Sequence, residues 1–342
     1  MSGGVDSSVS AVLLMEQGYE VVGVTMRLYD DPKKCVTDPS IDAKKMCDFL
    51  HIPHYTLDLT HEFHNCVIKD FIESYASART PNPCVECNKY MKFGLMYSKA
   101  KELGCDYFAT GHYANVEYDA RYGKTVLKKA DSERKDQSYV LYTMPQKLLD
   151  KVLFPLGKFH NKEEIRKIAH EHNLPVASKP DSEDICFIPD GDYARFLEEN
   201  SDISAKPGDI VLNGKVVGKH TGLYHYTIGQ RKGIGVTHAT PLYVIGFDVR
   251  KNQLIVGEEK DLYKNEMIVK DLNFLIDFDH SKPLEVNTKI RYQSKDNPGA
   301  IEFLDDETVK VNFAHPVARV TPGQSAVFYV DDVVIGGGKI VK

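Results

Sequence analysis

Residues 2–8 of this chain read SGGVDSS, and apolar residues at helical spacing follow them as far as Gln17. Two glycines allow the backbone to turn tightly and to approach a ligand without a Cβ clash. Serine hydroxyls and backbone N–H groups at a helix start are suited to an anion. The pattern therefore predicts a phosphate-binding loop formed by Ser2, Gly3, Gly4, Val5, Asp6, Ser7 and Ser8. It is not the Walker loop, because the Gly-Lys-Ser/Thr ending is absent. A simple glycine turn with a serine cap remains the alternative.

Helix-like and strand-like segments alternate from this loop to about residue 111. Helical spacing covers residues 7–17, 40–50 and 61–77, and strand patterns cover residues 20–26, 54–59 and 107–110. Such alternation is typical of a parallel sheet with crossover helices. The fold class predicted for the N-terminal part is therefore α/β, with a doubly wound parallel sheet.

The sequence changes character after about residue 200, where short β-rich runs separated by glycine turns replace the helices. Asn213-Gly214 is a typical hairpin turn, and residues 243–247, 253–256, 309–313 and 326–330 read as strands. We therefore predict two small β-rich domains after the α/β domain. The predicted domains are 1–193, 194–261 and 262–342.

Composition narrows the classes of protein to consider. The chain has 342 residues, a formal charge of -6 and seven cysteines. No run approaches the roughly 18 apolar residues of a membrane span, and the first residues lack the features of a secretion signal. An odd number of cysteines in a long chain argues against a disulfide framework. We expect a cytoplasmic protein with reduced thiols, in which any nucleic acid would meet a local basic patch.

Three of the cysteines stand in suggestive contexts. Cys84 and Cys87 lie in TPNPCVECNK, where two prolines predict an extended, irregular loop. Cys186 lies in KPDSEDICF. A C-x-x-C pair is a redox or metal spacing. A structural zinc site would need four ligands, and the sequence shows no second pair at a suitable spacing.

These motifs form an ordered series along nearly the whole chain. The series runs SGGVDSS, TPNPCVECNKYMKFG, ATGHYA, KDQSYVLY, KPDSEDICFI, HTGLYHYTIGQRKGIGV and PGQSAVFY. The first motif resembles the PP-loop of ATP pyrophosphatases. Together, in this order, they resemble the bacterial tRNA-specific 2-thiouridylases of that superfamily.

The resemblance implies a reaction in which ATP adenylates the C2 carbonyl oxygen of the tRNA wobble uridine. AMP and pyrophosphate are released, and sulfur replaces oxygen to give 2-thiouridine. The loop residues, Met26 and Gly111 would contact ATP, with magnesium near Asp6. In that family a strand precedes the loop, so we expect the sheet to lack that strand and to have unpaired edges beside it.

The resemblance also implies how sulfur is transferred. Cys186 would carry a persulfide from a donor such as a cysteine desulfurase or a sulfur-relay protein, and Cys87 would attack or resolve it. Many relatives have Asp where this chain has Cys84. Three converging thiols would also suit a [4Fe-4S] cluster with one open iron, so the cluster route remains an alternative.

The tRNA contacts are likewise implied by matching motif positions. The anticodon stem-loop would be bound at Asn82, Pro83, Cys84, His112, Lys135, Asp136, Gln137, Arg291, Tyr292 and Gln324. The wobble base would have to leave its stack for chemistry at C2. Lys128, Lys129, Arg134 and Lys135 predict a local basic patch. Two rival functions are a PP-loop ligase acting on a small metabolite and a tRNA-binding protein whose loop does not work.

Overall fold

The computed structural model describes residues 1–29, 39–179, 185–203 and 205–342. Residues 180–184, in the middle of the motif that contains Cys186, therefore lie outside the described residues. Within the described residues, three successive regions differ in architecture: a mixed α/β region, a four-stranded sheet and a β-barrel.

The N-terminal region has the predicted α/β architecture. Its helices are α1 (Val5–Glu16), α2 (Pro39–Phe49), α3 (Thr60–Phe63), α4 (Lys69–Ala76), α5 (Pro83–Glu86), α6 (Tyr97–Glu102) and α7 (Lys162–Glu171). Helix α8 (Tyr193–Asn200) follows this region in the chain. Its strands are β1 (Gly23–Arg27), β2 (His54–Asp58), β3 (Phe108–Ala109), β4 (Asn115–Asp119), β5 (Lys124–Lys128) and β6 (Val152–Leu153). Two π-helical segments, His64–Ile68 and Cys87–Met96, continue α3 into α4 and α5 into α6.

The parallel strands form two separate pairs instead of one continuous sheet. β1 pairs with β2, and β3 pairs with β6, both in parallel. No strand among the described residues joins the two pairs. The described residues therefore hold the parallel strands as two two-stranded sheets.

The middle region is a small sheet of β7 (Gly208–Leu212), β8 (Lys215–His220), β9 (Tyr243–Asp248) and β10 (Gln253–Gly257), ordered β8-β7-β10-β9. Asn213 and Gly214 both have positive φ, 49° and 77°, as the predicted hairpin turn requires. Ile210, Val244 and Leu254 are fully buried in its core.

The C-terminal region is a closed barrel of β11 (Tyr263–Phe274), β12 (Leu284–Lys289), β13 (Asn297–Asp305), β14 (Thr308–Ala318), β15 (Ser325–Val330) and β16 (Val333–Ile340). The strand order is β11-β14-β13-β12-β15-β16, and pairing of β11 with β16 closes the ring. β16 also pairs with β5 of the N-terminal region. The prediction of two β-rich regions after the α/β region is confirmed.

One hydrophobic core joins the barrel to the N-terminal region. Val85 of α5 and Phe93 of the second π-helical segment belong to the same buried cluster as Val327 and Tyr329 of β15. Burying these shared side chains favours a fixed position of the barrel against α5. No described helix has the length and apolar character of a membrane span.

Candidate active site

The predicted phosphate loop is a tight turn that leads directly into α1. Gly3 has φ +68°, and a Cβ on it would lie only 2.7 Å from the Asp42 Cβ. Ser7 Oγ accepts a hydrogen bond from the Ser2 amide at 3.1 Å and donates one to the Gly4 carbonyl at 3.2 Å. No side chain of the described residues caps α1, so its first amides remain available to an anion. The loop therefore has the geometry of a phosphate cradle.

The Asp6 carboxylate is held from two sides. The Tyr113 hydroxyl donates to Asp6 Oδ1 at 2.8 Å, and Lys162 Nζ donates to the same oxygen at 2.6 Å. Gly111 lies against the backbone of the loop, where a Cβ would come within 3.0 Å of the Asp6 carbonyl carbon and the Ser7 nitrogen. The strand end that carries Gly111 thus packs directly on the start of α1.

A second lysine, Lys179, also contacts the loop. Lys179 Nζ donates to the Gly3 carbonyl at 3.2 Å and to Asp42 Oδ2 at 2.8 Å. This hydrogen bond and the lysine charge hold the pKa of Asp42 below its usual value. Two ammonium groups beside one cradle suit a polyphosphate anion.

Sequence reasoning missed Lys162 and Lys179, although Lys162 left a signal. It occupies the first turn of α7, immediately after the capping residue Asn161. A positive charge at a helix N-terminus is unfavourable because it opposes the helix dipole. The position of Lys162 is therefore better explained by its contact with Asp6 than by helix stability. The predicted nucleotide residue Met26 lies near the end of β1, half-buried against the core.

The cysteine segment is helical, which corrects the prediction of an extended loop. α5 begins at Pro83, and the Asn82 side chain caps it by accepting a hydrogen bond from the Cys84 amide at 3.2 Å. Proline suits the first helical position, because its fixed φ is helical and its missing N–H would have no partner there. Cys87 begins the π-helical segment that follows. π-helical segments are rare and are frequent at functional sites.

The structure brings the three predicted thiols together. Burial, with the charges of Cys87 and Cys84 as smaller causes, raises the pKa of Cys186 to about 12. Burial also raises the pKa of Cys84 and of Cys87. Cys84 and Cys186 both keep exposed surface, yet burial is the main cause of each shift, so protein surrounds much of each thiol. All three favour the neutral thiol in this conformation.

Lys92 is the cation of this thiol cluster. Its charge lowers the pKa of Cys84, Cys87 and Cys186, against the larger effect of burial. Lys92 lies five residues after Cys87, and a π-helix places residues five apart on one face. Within the described part of the chain, no carboxylate forms an ion pair with Lys92.

His112 connects Lys92 to the phosphate loop. Lys92 Nζ lies 3.2 Å from His112 Nε2, and His112 Nδ1 lies 2.8 Å from Thr110 Oγ1. Burial holds the pKa of His112 well below its usual value, so the ring is neutral. Neutral His112 then accepts from Lys92 at Nε2 and donates to Thr110 from Nδ1. Because Gly111 touches Asp6, a short path of contacts runs from the phosphate loop to the thiols.

The described residues contain no preformed site for a metal ion. Across the described ranges, no three His, Cys, Asp or Glu side chains are grouped closely enough to hold a metal ion. An iron–sulfur cluster held by Cys84, Cys87 and Cys186 stays a prediction. Magnesium needs less from the protein, because it is commonly held by one or two carboxylates together with phosphate oxygens and water. Asp6 beside the cradle fits that pattern.

Several residues predicted to contact tRNA have partners within the protein. Asp136 is 4% exposed, and its carboxylate accepts from the Ala130 and Ser138 amides and from Lys289 Nζ. His112 is buried as well, as described above. These two side chains support the surrounding backbone in this conformation, and direct tRNA contacts by them stay predictions.

The other predicted contacts lie closer to the surface. Gln137 is half-buried, and its side chain accepts from the Tyr113 amide at 3.0 Å. Arg291 Nη2 donates to the Ile228 carbonyl at 3.0 Å and to Thr321 Oγ1 at 2.5 Å. Tyr292 lies near the cysteines, because Cys84 is among the charges that raise its pKa, after burial and Asp136.

The predicted basic patch is partly neutralised. Lys128 forms ion pairs with Glu117 at 2.8 Å and with Asp332 at 3.5 Å. Lys129 pairs with Asp296 at 2.5 Å. The positive charge that the sequence places together is thus shared with carboxylates from distant parts of the chain.

Three family models match consecutive stretches of the chain. They are described as a tRNA methyl transferase HUP domain at residues 1–190, a tRNA methyl transferase PRC-barrel domain at 195–258 and an aminomethyltransferase beta-barrel domain at 264–340. The first match alone covers more than half of the chain and contains the phosphate loop and all three thiols.

Full-length relatives carry a common name. The tRNA-specific 2-thiouridylase MnmA 2 of Thermoanaerobacter sp. strain X514 is 46% identical, covering 100% of this chain and 96% of the relative. The tRNA-specific 2-thiouridylase MnmA 1 of Caldanaerobacter subterraneus subsp. tengcongensis is 47% identical, with the same coverage. The tRNA-specific 2-thiouridylase MnmA of Clostridioides difficile strain 630 is 43% identical, covering 100% of this chain and 97% of the relative.

Proposed function

Because this chain belongs to the tRNA-specific 2-thiouridylase family, we propose that it replaces the C2 oxygen of the tRNA wobble uridine with sulfur at the expense of ATP. One observation carries the proposal: Gly111, His112 and Lys92 connect a phosphate cradle to three neighbouring thiols. The proposed reaction needs both parts of the site, because ATP activates the carbonyl oxygen at the cradle and a thiol supplies the sulfur. A carbonyl oxygen leaves poorly, so it must be activated before sulfur can displace it.

The first step is adenylation. The uracil O2 attacks the α-phosphorus of ATP, and pyrophosphate leaves. The amides at the start of α1 and the hydroxyls of Ser2 and Ser7 bind the phosphates, while Lys162 and Lys179 neutralise the charge that develops on the leaving pyrophosphate. Asp6, already held by Lys162, supplies the carboxylate beside any magnesium that accompanies ATP.

The second step is sulfur transfer. The terminal sulfur of a persulfide on Cys186 attacks C2, and AMP leaves with the bonding electrons of the C–O bond. The Cys87 thiolate then attacks the Cys186 sulfur, which leaves the transferred sulfur on C2 and forms a Cys87–Cys186 disulfide. An external thiol reductant must reduce this disulfide before the next turnover. The proximity of Cys87 and Cys186 supports this step.

Lys92 favours the anionic sulfur in this step. Its charge opposes the burial that keeps the thiols neutral, and it has no carboxylate partner in the described ranges. Neutral His112 holds the ammonium in place without adding a second positive charge. Cys84 would stand beside the path of the flipped base.

Further parts of the proposal concern partners and domains. The tRNA anticodon stem-loop would lie along Asn82, Pro83 and Tyr292, and a persulfide or sulfide donor protein would approach Cys186. The division into 1–193, 194–261 and 262–342, and a cytoplasmic location, belong to this proposal. The cluster route remains the alternative: reconstitution without oxygen that yields a full cluster per chain would favour it, and less than one iron per chain would count against it.

The direct test supplies ATP, a persulfide donor and unmodified tRNA, followed by nucleoside analysis. We expect 2-thiouridine together with AMP. AMP formed with a small metabolite but not with tRNA would support a ligase, and tight tRNA binding without either product would support a binding protein.

A variant separates the two steps. Cys186→Ser should abolish 2-thiouridine while the tRNA-dependent release of pyrophosphate in the adenylation step continues. Gly18→Ala, at the far end of α1, is a control that leaves both products unchanged. Full thiolation by Cys186→Ser would remove Cys186 from the mechanism.

A further inference from the structure

The short helix that carries Cys84 is fastened to the C-terminal barrel at both of its ends. A cleft of about 140 Å³ lies between this helix and the barrel. The residues that line it include Asp70, Asn82, Glu86 and Lys339. Contacts that cross the boundary beside this cleft therefore determine where the helix, and the cysteines at Cys84 and Cys87, lie.

The first fastening is an ion pair. Lys339 of β16 lies with its Nζ 2.9 Å from Glu86 Oε1 and 3.4 Å from Asp70 Oδ1. Glu86 is the last residue of α5 and stands directly before Cys87, and its side chain is only 8% exposed. Although burial opposes it, the carboxylates of Glu86 and Asp70 raise the pKa of Lys339, so the amine is charged. Removing one partner of such a buried pair leaves the other charge uncompensated.

The second fastening lies before the helix. Gln324 Nε2 donates to the Thr80 carbonyl at 2.9 Å and to the Pro81 carbonyl at 3.2 Å. The Thr80 amide donates to the Pro322 carbonyl at 2.9 Å. Gln324, which the sequence resemblance assigns to tRNA, thus uses its side-chain amide to hold the cysteine segment in this conformation.

We propose that Lys339, through Glu86, is a positioning residue that places Cys87 for reaction with Cys186, so that the barrel sets the geometry of the thiol site. Glu86 and Cys87 are adjacent, so a shift of the Glu86 carboxylate displaces the Cys87 sulfur. The consequence for sulfur transfer rests on the proposed function, whereas the positioning of Cys87 does not. The two are therefore tested separately.

The positioning test needs neither ATP nor tRNA. Diamide accepts two electrons and two protons from a pair of thiols and leaves a disulfide, and peptide mass spectrometry follows the Cys87–Cys186 bond over time. Disulfide formation requires the sulfur atoms to meet in a narrow geometry, so its rate reports their placement. We expect Lys339→Met to slow it about tenfold, since small displacements of reacting groups have effects of this size or larger.

Matched variants separate positioning from general damage to the barrel. Lys310→Met removes a barrel lysine of similar exposure, 30% against 28%, whose partner Glu266 lies on β11 and is 61% exposed, against 8% for Glu86. We expect Lys310→Met to react at the parent rate. Lys339→Arg keeps the charge and should restore most of the rate. The double variant Glu86→Gln/Lys339→Met should be no slower than the slower single variant, because both act through one pair.

The result that overturns the proposal is a Lys339→Met rate equal to that of Lys310→Met, or additive losses in the double variant. In the full reaction, Lys339→Met should reduce 2-thiouridine formation while pyrophosphate release in the first turnover, which reports adenylation, keeps the parent rate. If the parent protein forms no 2-thiouridine, the proposed function fails, and the disulfide rates still decide the positioning role.

Discussion

Replacing Gly3 by alanine is the sharpest test of the phosphate cradle. Gly3 has φ +68°, a conformation that costs an L-residue about 1–2 kcal/mol. An alanine Cβ would also lie 2.7 Å from the Asp42 Cβ and 3.0 Å from the Ala43 nitrogen. The loop or α2 must therefore move, and such overpacking typically costs a further ~1–3 kcal/mol.

The same helix provides a control for the backbone term. Gly18, just after α1, has φ +87°, but a Cβ there would have no neighbour within 4 Å. Gly18→Ala should therefore lose only about 1 kcal/mol of stability, from the left-handed conformation. The difference between Gly3→Ala and Gly18→Ala isolates the effect of the crowded loop.

The assay is tRNA-dependent AMP release at saturating ATP, with melting temperature as the measure of folding. We expect AMP release to fall about a hundredfold in Gly3→Ala, because a displacement near 1 Å in a positioning group has that effect. Gly18→Ala should release AMP at the parent rate. Equal rates in the two folded variants would refute the assignment of the loop as the phosphate cradle.

Three further predictions concern charged groups. Lys162→Met should lower AMP release at least tenfold without changing tRNA affinity, since charge-assisted hydrogen bonds contribute about 1.5–3 kcal/mol; unchanged release would contradict its role. Lys92→Met should raise the pKa of Cys186 further, because the lysine charge that lowers it is lost; iodoacetamide alkylation at a fixed pH should then be slower and its pH profile should move to higher pH, which peptide mass spectrometry measures. Asp136→Asn should destabilise the protein by about 3 kcal/mol, because it leaves Lys289 buried without a counter-charge; a parent-like melting temperature would contradict this.

Features that depend on neighbouring residues were predictable. The glycine-rich turn before a helical run predicted the loop and α1, and Asn213-Gly214 predicted a hairpin, because turn geometry depends on a few adjacent residues. The order of motifs predicted the family and its three regions. The cysteine segment was predicted wrongly as extended, since Pro83 was read as a helix breaker although it occupies the first helical position.

Features that depend on distant residues were not predictable. Lys162 meets Asp6 across 156 positions, and Lys92 meets His112 across 20. Burial made Asp136 a support for the backbone and paired Lys128 with carboxylates, which changes what charged residues do without altering the local sequence.

A local pattern of residues thus predicted the phosphate loop, while the order of motifs along the chain predicted the family and, through it, the meeting of the three thiols. Only the folded chain placed Lys92 among the thiols, Lys162 on Asp6 and Lys339 on Glu86. Contacts between segments that are distant in sequence depend on how the shared core packs. A local pattern of residues therefore cannot predict them.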